Sequence, residues 1–125
     1  NFYIESINFN NSDQELAGFI KSNLNNYLIK NNGKKFKINA SINYSKNSIS
    51  KDVSGNTEEY ELTSTLNLLI SQGELNRSVL IKEVSRMKNF TDEFEELQYE
   101  RSAKESMARS ITSRLLMQLS VINAN

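Results

Sequence analysis

The sequence predicts an α+β fold, a two-layer sandwich in which a four-stranded, mostly antiparallel sheet carries two helices on one face. Two long runs of alternating apolar and polar residues flank one short polar loop, which is typical of a β-hairpin. Two other segments each carry a single apolar stripe at helical spacing, and one sheet face can bury both stripes. The length of 125 residues is that of one domain, so we expect residues 1–125 to form a single unit ordered β-α-β-β-β-α.

The chain begins with an alternating segment, Phe2–Phe9, which we predict as the first strand. Ser12 and Glu15 then form a Ser-x-x-Glu capping box, whose side chains accept hydrogen bonds from N–H groups at a helix start. Helical spacing predicts that this helix covers residues 13–31, with Gly33 placed where a helix ends. The apolar stripe of this helix consists of Leu16, Phe19, Ile20, Leu24, Tyr27 and Leu28.

The hairpin supplies the second and third strands, which we predict over residues 35–50 and 57–71. A turn at Gly73 leads into a fourth strand, Arg77–Met87, so that these three strands form an antiparallel meander. The first strand reaches the sheet through a helical crossover. This connection allows it to lie parallel to a neighbouring strand with the usual right-handed crossover.

A long second helix is predicted over residues 92–122. Acidic residues crowd its first turn and arginines fall in its second half, and both placements suit the helix dipole. Its apolar stripe consists of Phe94, Leu97, Ala103 or Lys104, Met107, Ala108, Ile111, Leu115, Leu119 and Ile122. Five apolar residues are expected to be buried between the two layers, namely Leu24, Leu66, Leu68, Ile111 and Leu115.

The composition argues against several classes of function. Fifteen basic and fifteen acidic residues give no net charge, which speaks against a nucleic-acid partner and against broad attraction to anionic lipid. The chain contains neither cysteine nor histidine, so it has no disulfide, no cysteine-based metal site and no histidine general base. No stretch approaches the ~20 apolar residues of a membrane-spanning helix. We predict neither a cofactor nor a resident metal.

Some short patterns resemble catalytic or metal-binding motifs but have simpler explanations. Ser-x-x-Lys occurs at Ser48–Lys51 and Ser85–Lys88, but both matches fall at strand ends, where residues three apart point to opposite faces. The acidic run Asp92–Glu96 is typical of a helix start, and the run Glu58–Glu61 of a solvated strand face. No constellation supports catalysis, and the sequence therefore predicts a non-enzymatic protein.

Two segments resemble the LptE family, the small lipoprotein partners of the LptD β-barrel in lipopolysaccharide export. The first, GNTEEYELTSTLNLLI, has a turn glycine, a polar stretch, an acidic residue before tyrosine, and a long alternating strand. The second, VSRMKNFTDEFEELQYERSAKESMARSITSRLLMQL, has a strand ending near Ser-Arg, a linker, and a helix with Glu-Arg-x-Ala and a terminal Arg-Leu. The resemblance spans nearly the whole chain. The matching residues are Gly55, Glu59, Tyr60, Leu62, Glu100, Arg101, Ala103, Ile111, Arg114 and Leu115.

The resemblance implies a non-enzymatic lipopolysaccharide-assembly factor at the periplasmic side of the outer membrane. Such a protein plugs an LptD-like β-barrel and helps to assemble it and to insert lipopolysaccharide. Mature chains of the family begin with a lipidated cysteine just upstream of the first strand, so membrane association is expected through an N-terminal lipid anchor. This sequence starts at Asn1 without that cysteine, and we interpret it as a trimmed or mature form.

The residues alone leave an alternative open, a periplasmic lipid-transport accessory lipoprotein domain that binds lipid between helices and sheet. A carrier of this kind needs an apolar cavity of roughly several hundred Å³, whereas a barrel plug needs polar outer faces and no deep pocket. A hydrolase is a third hypothesis, and it needs a nucleophile within hydrogen-bond reach of a base. The structure can separate these hypotheses.

The tip of the predicted hairpin is the candidate site for contact with the barrel or with lipopolysaccharide. The resemblance implies that this tip projects into a barrel lumen or towards a lipid headgroup, with Gly55 keeping it slim and Lys51 offering a phosphate contact. The basic residues by which some family members bind lipopolysaccharide have no counterpart, because Val53 and Ser54 precede the glycine. We expect the tip to be exposed and mobile. The candidate residues are Lys51, Asp52, Val53, Ser54, Gly55 and Asn56.

Overall fold

The computed structural model describes residues 1–125 and has the predicted element order. An α-helix follows the first strand, three long strands follow in succession, and a second, longer helix ends the chain. Neither helix is both long enough and apolar enough to cross a membrane. The elements are β1 (Phe2–Phe9), α1 (Gln14–Asn23), a 3-10 turn (Asn25–Tyr27), β2 (Lys34–Lys51), β3 (Thr57–Gln72), β4 (Leu75–Lys88) and α2 (Glu93–Ala124).

The four strands form one mixed sheet in the order β1-β2-β3-β4. β1 lies parallel to β2, as the helical crossover allows, while β2, β3 and β4 pair antiparallel through their two tight turns. The register aligns Ile42 with Leu66 and Leu66 with Ile81, so apolar residues of neighbouring strands point to the same face. The α+β fold class is thereby confirmed.

The main core lies between this apolar sheet face and the two helices. Leu115 and Ile111 of α2 and Leu16 of α1 are fully buried in one cluster with Phe36 of β2. Burial of a leucine-sized side chain contributes about 1.5–3 kcal/mol of hydrophobic stabilisation, so this layer dominates the stability of the fold. The five residues predicted to be buried between the layers, Leu24, Leu66, Leu68, Ile111 and Leu115, all are.

The first helix is shorter than the predicted range of residues 13–31. α1 ends at Asn23, where the Leu24 N–H donates to the carbonyls of both Ile20 and Lys21 and the chain tightens into a 3-10 turn. Two asparagines follow Leu24, and asparagine is a weak helix former. The tighter turn still places Leu24 in the core, so the apolar stripe was read correctly although the helix end was not.

The predicted capping box at Ser12 and Glu15 is wrong. Asp13 is the N-cap of α1, and its Oδ1 accepts a hydrogen bond of 2.9 Å from the Leu16 N–H. Ser12 instead accepts from the Ile42 N–H at 3.0 Å, which ties the start of α1 to strand β2. Glu15 pairs with basic side chains of α2. The side chains of Ser12 and Glu15 therefore form tertiary contacts instead of capping the helix.

The second helix begins under the predicted Asp92 cap, whose Oδ1 accepts from the Phe94 N–H at 2.9 Å. Phe94 and Leu97, however, are 65% and 66% exposed rather than part of the buried stripe. The first three turns of α2 instead turn Glu96 and Glu100 towards the sheet, because polar side chains of β2 lie beneath them. The buried apolar stripe starts only at Met107.

Candidate functional site

All six residues of the predicted hairpin tip are exposed, as expected. The tip has a defined backbone organised by Asp52, whose Oδ1 accepts hydrogen bonds of 2.9 Å from the N–H groups of both Ser54 and Asn56. The Asp52 N–H donates to the Asn56 carbonyl, and the Gly55 N–H donates back to the Asp52 carbonyl. The mobility of this segment stays a prediction.

Val53 and Lys51 are the apolar and the basic side chain of the tip, and neither has a partner within the chain. Val53 is completely exposed at the apex, where an apolar side chain contributes nothing to folding. Lys51, at the end of β2, forms no ion pair with any acidic residue of the chain. Gly55 has φ +85°, a left-handed conformation that other residues adopt only with strain. The tip therefore presents one cation and one apolar side chain on a fixed turn.

Hydrogen bonds from Asn89 hold the strand beside the tip in place, and they were not predicted from the sequence. The Asn89 N–H donates to the Glu58 carbonyl at 2.9 Å, and the Asn89 side-chain amide donates to the Thr57 carbonyl at 2.8 Å. Behind this bridge lies a second, smaller core formed by Leu62, Met87 and Met107, with Tyr44, Tyr60, Phe90 and Ala103 packed against it. The Asn89–Thr57 bond joins residues 32 positions apart, so no local sequence pattern could have predicted it.

A polar cluster joins the middle of β2 to the start of α2. The Tyr44 hydroxyl donates a short hydrogen bond to Glu100, whose other carboxylate oxygen lies 3.2 Å from the Lys46 ammonium. Lys46 also lies 4.0 Å from Glu96 and 4.6 Å from the centre of the Tyr60 ring. Partial burial, the hydrogen bond to Glu100 and nearby negative charge raise the pKa of Tyr44 well above its usual value, so the phenol stays protonated.

A second polar group joins α2 to the start of α1. The Lys104 ammonium lies 3.1 Å from Asp13, 3.4 Å from Glu15 and 4.2 Å from the centre of the Tyr44 ring. Arg101 reaches Glu15 at 2.9 Å. Because each cation has an acidic partner, these groups hold the two helices and the sheet together, and they leave no spare base or nucleophile.

The other chemically suggestive side chains are occupied in ordinary contacts. Ser48 accepts a hydrogen bond from the Thr57 hydroxyl, and Lys88 lies over the ring of Phe90. Ser64 is buried with its hydroxyl against the sulfur of Met107. Acidic side chains do not converge in a group of three that could hold a metal ion. None of these contacts places a serine hydroxyl within hydrogen-bond reach of a lysine or carboxylate base.

The space between helices and sheet is filled by the main core and shows no lipid-sized cavity. The most apolar surface depression, of about 450 Å³, lies on the opposite, uncovered face of the sheet. Depressions beside α1 and α2 are open and lined mainly by polar residues. The structure therefore gives no support to a carrier with lipid between its helices and sheet.

These features define a small α+β domain with two helices on one face of a four-stranded mixed sheet. No protein-family model and no curated protein sequence matches the chain, but solved structures do. The chain is similar over 100% of its length to 98% of rare lipoprotein B from Shewanella oneidensis, with a TM-score of 0.76 and 14% identity. A lipoprotein B from Nitrosomonas europaea matches over 99% of this chain and 86% of its own, with a TM-score of 0.64 and 13% identity.

A minor lipoprotein from Acinetobacter baumannii is also similar, over 90% of this chain and 88% of its own, with a TM-score of 0.62 and 13% identity. Rare lipoprotein B is another name for LptE, so these likenesses confirm at the level of the fold the family resemblance seen in the sequence. At such identities the likeness concerns the fold alone. The likeness does not identify what the chain binds.

Proposed function

We propose that this protein is a non-enzymatic, lipid-anchored assembly factor at the periplasmic side of the outer membrane, and that its partner is an LptD-like β-barrel. The observation that carries the proposal is the end-to-end likeness to rare lipoprotein B, with 100% of one chain matched to 98% of the other. The whole described domain therefore takes part in the likeness. The two sequence segments that resemble the LptE family lie on β3, β4 and α2 of this shared fold.

The interior of the domain supports a role as a plug or scaffold. A closed apolar core fills the space between helices and sheet, and Lys46 and Lys104 pair with carboxylates between the layers. A protein of this kind acts by filling space and presenting surfaces. Interiors of outer-membrane barrels are polar, and a largely polar exterior suits such surroundings.

The hairpin tip is the part of the proposed plug that we assign to contact with the barrel or with lipopolysaccharide. Lys51 is free to pair with a phosphate, since it has no acidic partner within the chain. Val53 offers an apolar contact at the apex, where it is fully exposed. Asp52 and Gly55 fix the turn that displays these two side chains.

The proposal is tested by co-expressing the full-length protein with the LptD-like barrel of the same organism and isolating the barrel through a tag. We expect the protein to be retained through detergent washes and to restore growth in a strain depleted of the native copy. An unrelated outer-membrane barrel carrying the same tag is the control. Equal retention by both barrels, or by neither, would contradict the proposed partnership.

A further inference from the structure

The zero net charge of the chain conceals an uneven distribution of charge between the two ends of the sheet. One end holds the start of β1, the start of β2 and the turn between β3 and β4, since Phe2 pairs with Lys34 and Gln72 with Leu75. We call the exposed cations at this end, together with the loop of residues 27–33 that leads into β2, the basal surface. Its cations are Lys30, Lys34, Lys35, Lys37 and Arg77.

Most of the positive charge of the basal surface is not neutralised within the chain. Lys30, Lys37 and Arg77 form no ion pair. Lys35 lies 3.6 Å from Glu5, but both side chains are exposed, so this pair is weak. The surface therefore presents several cations that are free to pair with anions outside the chain.

The opposite end of the sheet, which holds the hairpin tip and the start of α2, has the reverse balance. Acidic residues outnumber basic ones there, whereas Glu5 and Glu74 are the acidic residues of the basal end. The acidic residues of the tip end are Asp52, Glu58, Glu59, Glu61, Asp92, Glu93, Glu95 and Glu96. An anionic surface attracts the positive end of such a domain and repels the negative end, so it turns the basal surface towards itself.

An exposed isoleucine lies among the basal cations. Ile29 is 66% exposed and immediately precedes Lys30. Contacts with β1 hold the loop in place, because the ring of Tyr27 stacks on that of Phe2 at 5.7 Å and the Asn31 side-chain amide donates to the Phe2 carbonyl at 3.0 Å. An apolar side chain displayed beside lysines suits a lipid surface, where it enters the headgroup layer while the ammonium groups stay with the phosphates.

The first residue of the chain lies at the same end. Asn1 runs so close to Gly33 that a Cβ at this glycine would collide with the Asn1 carbonyl. The proposed function places a lipid anchor upstream of β1, and such an anchor would bring the membrane to the basal surface. A membrane is therefore the anionic partner that this end of the domain would meet.

We propose that the basal surface lies against anionic phospholipid headgroups of the membrane that carries the anchor, with its cations at the phosphates and Ile29 at headgroup depth. This inference rests on the lipid anchor of the proposed function, and it is independent of the barrel. A single lipid chain gives only reversible membrane binding, which basic side chains near an anionic surface strengthen. Because the hairpin tip lies at the other end of the sheet, the contact belongs to the anchored protein before it engages the barrel.

Binding to vesicles by residues 1–125 without an attached lipid tests the proposal. We expect the chain to sediment with phosphatidylcholine vesicles that contain roughly one-third phosphatidylglycerol, and not with phosphatidylcholine alone. Lys30→Gln with Lys37→Gln should lower the partition coefficient on the order of tenfold or more, since each cation near such a surface contributes about fivefold. Lys82→Gln with Arg109→Gln removes the same charge from exposed positions elsewhere and should have little effect.

Fluorescence locates the contact on the molecule. The chain contains no tryptophan, so Ile29→Trp introduces a single indole into the basal loop. We expect its emission to move to shorter wavelength with the anionic vesicles and to be quenched by brominated lipid. Leu80→Trp is the control, since Leu80 is 61% exposed on the uncovered face of the sheet, and its indole should show neither effect.

The outcomes separate this inference from the proposed function. Absence of the full-length protein from the outer-membrane fraction of cells would contradict the proposed anchoring. In contrast, a folded chain that does not bind the anionic vesicles, or that binds them equally well after the two lysine changes, would refute the basal surface alone. Circular dichroism verifies folding, and Lys30→Arg with Lys37→Arg, which keeps the charge, should bind like the unaltered chain. Insertion of the Leu80→Trp indole instead of the Ile29→Trp indole, or binding confined to lipopolysaccharide or to an acidic protein, would likewise overturn the proposal.

Discussion

The hydroxyl of Tyr44 on β2 donates a hydrogen bond to the carboxylate of Glu100 on α2, two residues that lie 56 positions apart in the chain. This bond and the neighbouring Lys46–Glu100 ion pair anchor the polar first turns of α2 to the sheet. They explain why Phe94 and Leu97 face solvent, because the positions of α2 that meet the sheet there carry carboxylates. The sheet residue beneath the helix determines which helix face is turned inward.

Tyr44→Phe should destabilise the protein by about 1.5–3 kcal/mol, the range for a hydrogen bond to a charged acceptor. The change removes the donor to Glu100 and leaves the ring in place against Lys104. Urea unfolding at neutral pH measures the effect. Tyr60→Phe is the matched control, since that ring contacts Lys46 through its face, and its loss of a hydroxyl should have little effect. Equal stability of both variants would show that the Tyr44 bond contributes nothing.

The raised pKa of Tyr44 predicts a loss of stability at alkaline pH. Below the unfolded-state value near 10 the phenol is protonated in both states, and its contribution is complete. As the pH rises from there towards the higher pKa of the folded state, the unfolded chain releases its proton first, so the free energy of unfolding decreases. The stability advantage over Tyr44→Phe should therefore shrink between about pH 9.5 and pH 11. A constant difference across that range would contradict the shift.

Leu115→Ala should cost about 2–5 kcal/mol, because Leu115 is fully buried in the main core and truncation leaves a cavity there. Met117→Ala, two residues further along α2, is the control. Met117 is 66% exposed, and its truncation should change the free energy of unfolding by no more than about 0.5 kcal/mol. Thermal and urea unfolding of the two variants decide whether this stripe carries the stability of the layer.

Much of the fold follows from periodicity. Alternation in β2 and β3 and the apolar spacing from Met107 to Ile122 each report the buried side of an element directly, and these predictions are confirmed. The prediction of the cap failed because a tertiary partner overrides local preference, since Ser12 bonds to β2 instead of capping α1. The predicted end of α1 failed for a local reason, because two asparagines follow Leu24 and the chain tightens there into a 3-10 turn.

In the candidate surfaces, too, features set by local sequence could be predicted, and features set by long-range contacts could not. The six tip residues could be located from the polar loop and Gly55 alone, because turn chemistry is local. The role of Asp52 as organiser of that turn appears only with its hydrogen bonds. Likewise, the polar positions of β2 are visible in the sequence, but the register with β3 and β4 is needed to show which residues lie beside them on the uncovered face of the sheet.

Within the hairpin tip, substitutions of residues that shape the turn should lower stability, whereas substitutions of side chains displayed to a partner should not. Asp52→Ala removes the acceptor of two backbone hydrogen bonds, and Gly55→Val forces a branched residue to φ +85°. Each should cost on the order of 1 kcal/mol or more, measurable by urea unfolding. Val53→Ser, at a fully exposed side chain, should leave stability within about 0.5 kcal/mol. Tolerance of substitution is therefore expected only for the displayed side chains of the tip.

The functional prediction for the tip concerns those displayed side chains. Val53→Glu with Ser54→Glu, and separately Lys51→Glu, should leave the domain folded but reduce growth in a strain depleted of the native protein. The first change puts two carboxylates at the apex proposed to contact the barrel or lipopolysaccharide. The second removes a cation free to pair with phosphate and replaces it with a charge that repels phosphate. Glu74→Lys, an exposed charge reversal in the turn between β3 and β4, controls for a change of charge in a turn. Full growth with both folded tip variants would show that the tip is only a turn and would leave partner contact to the sheet or the helices.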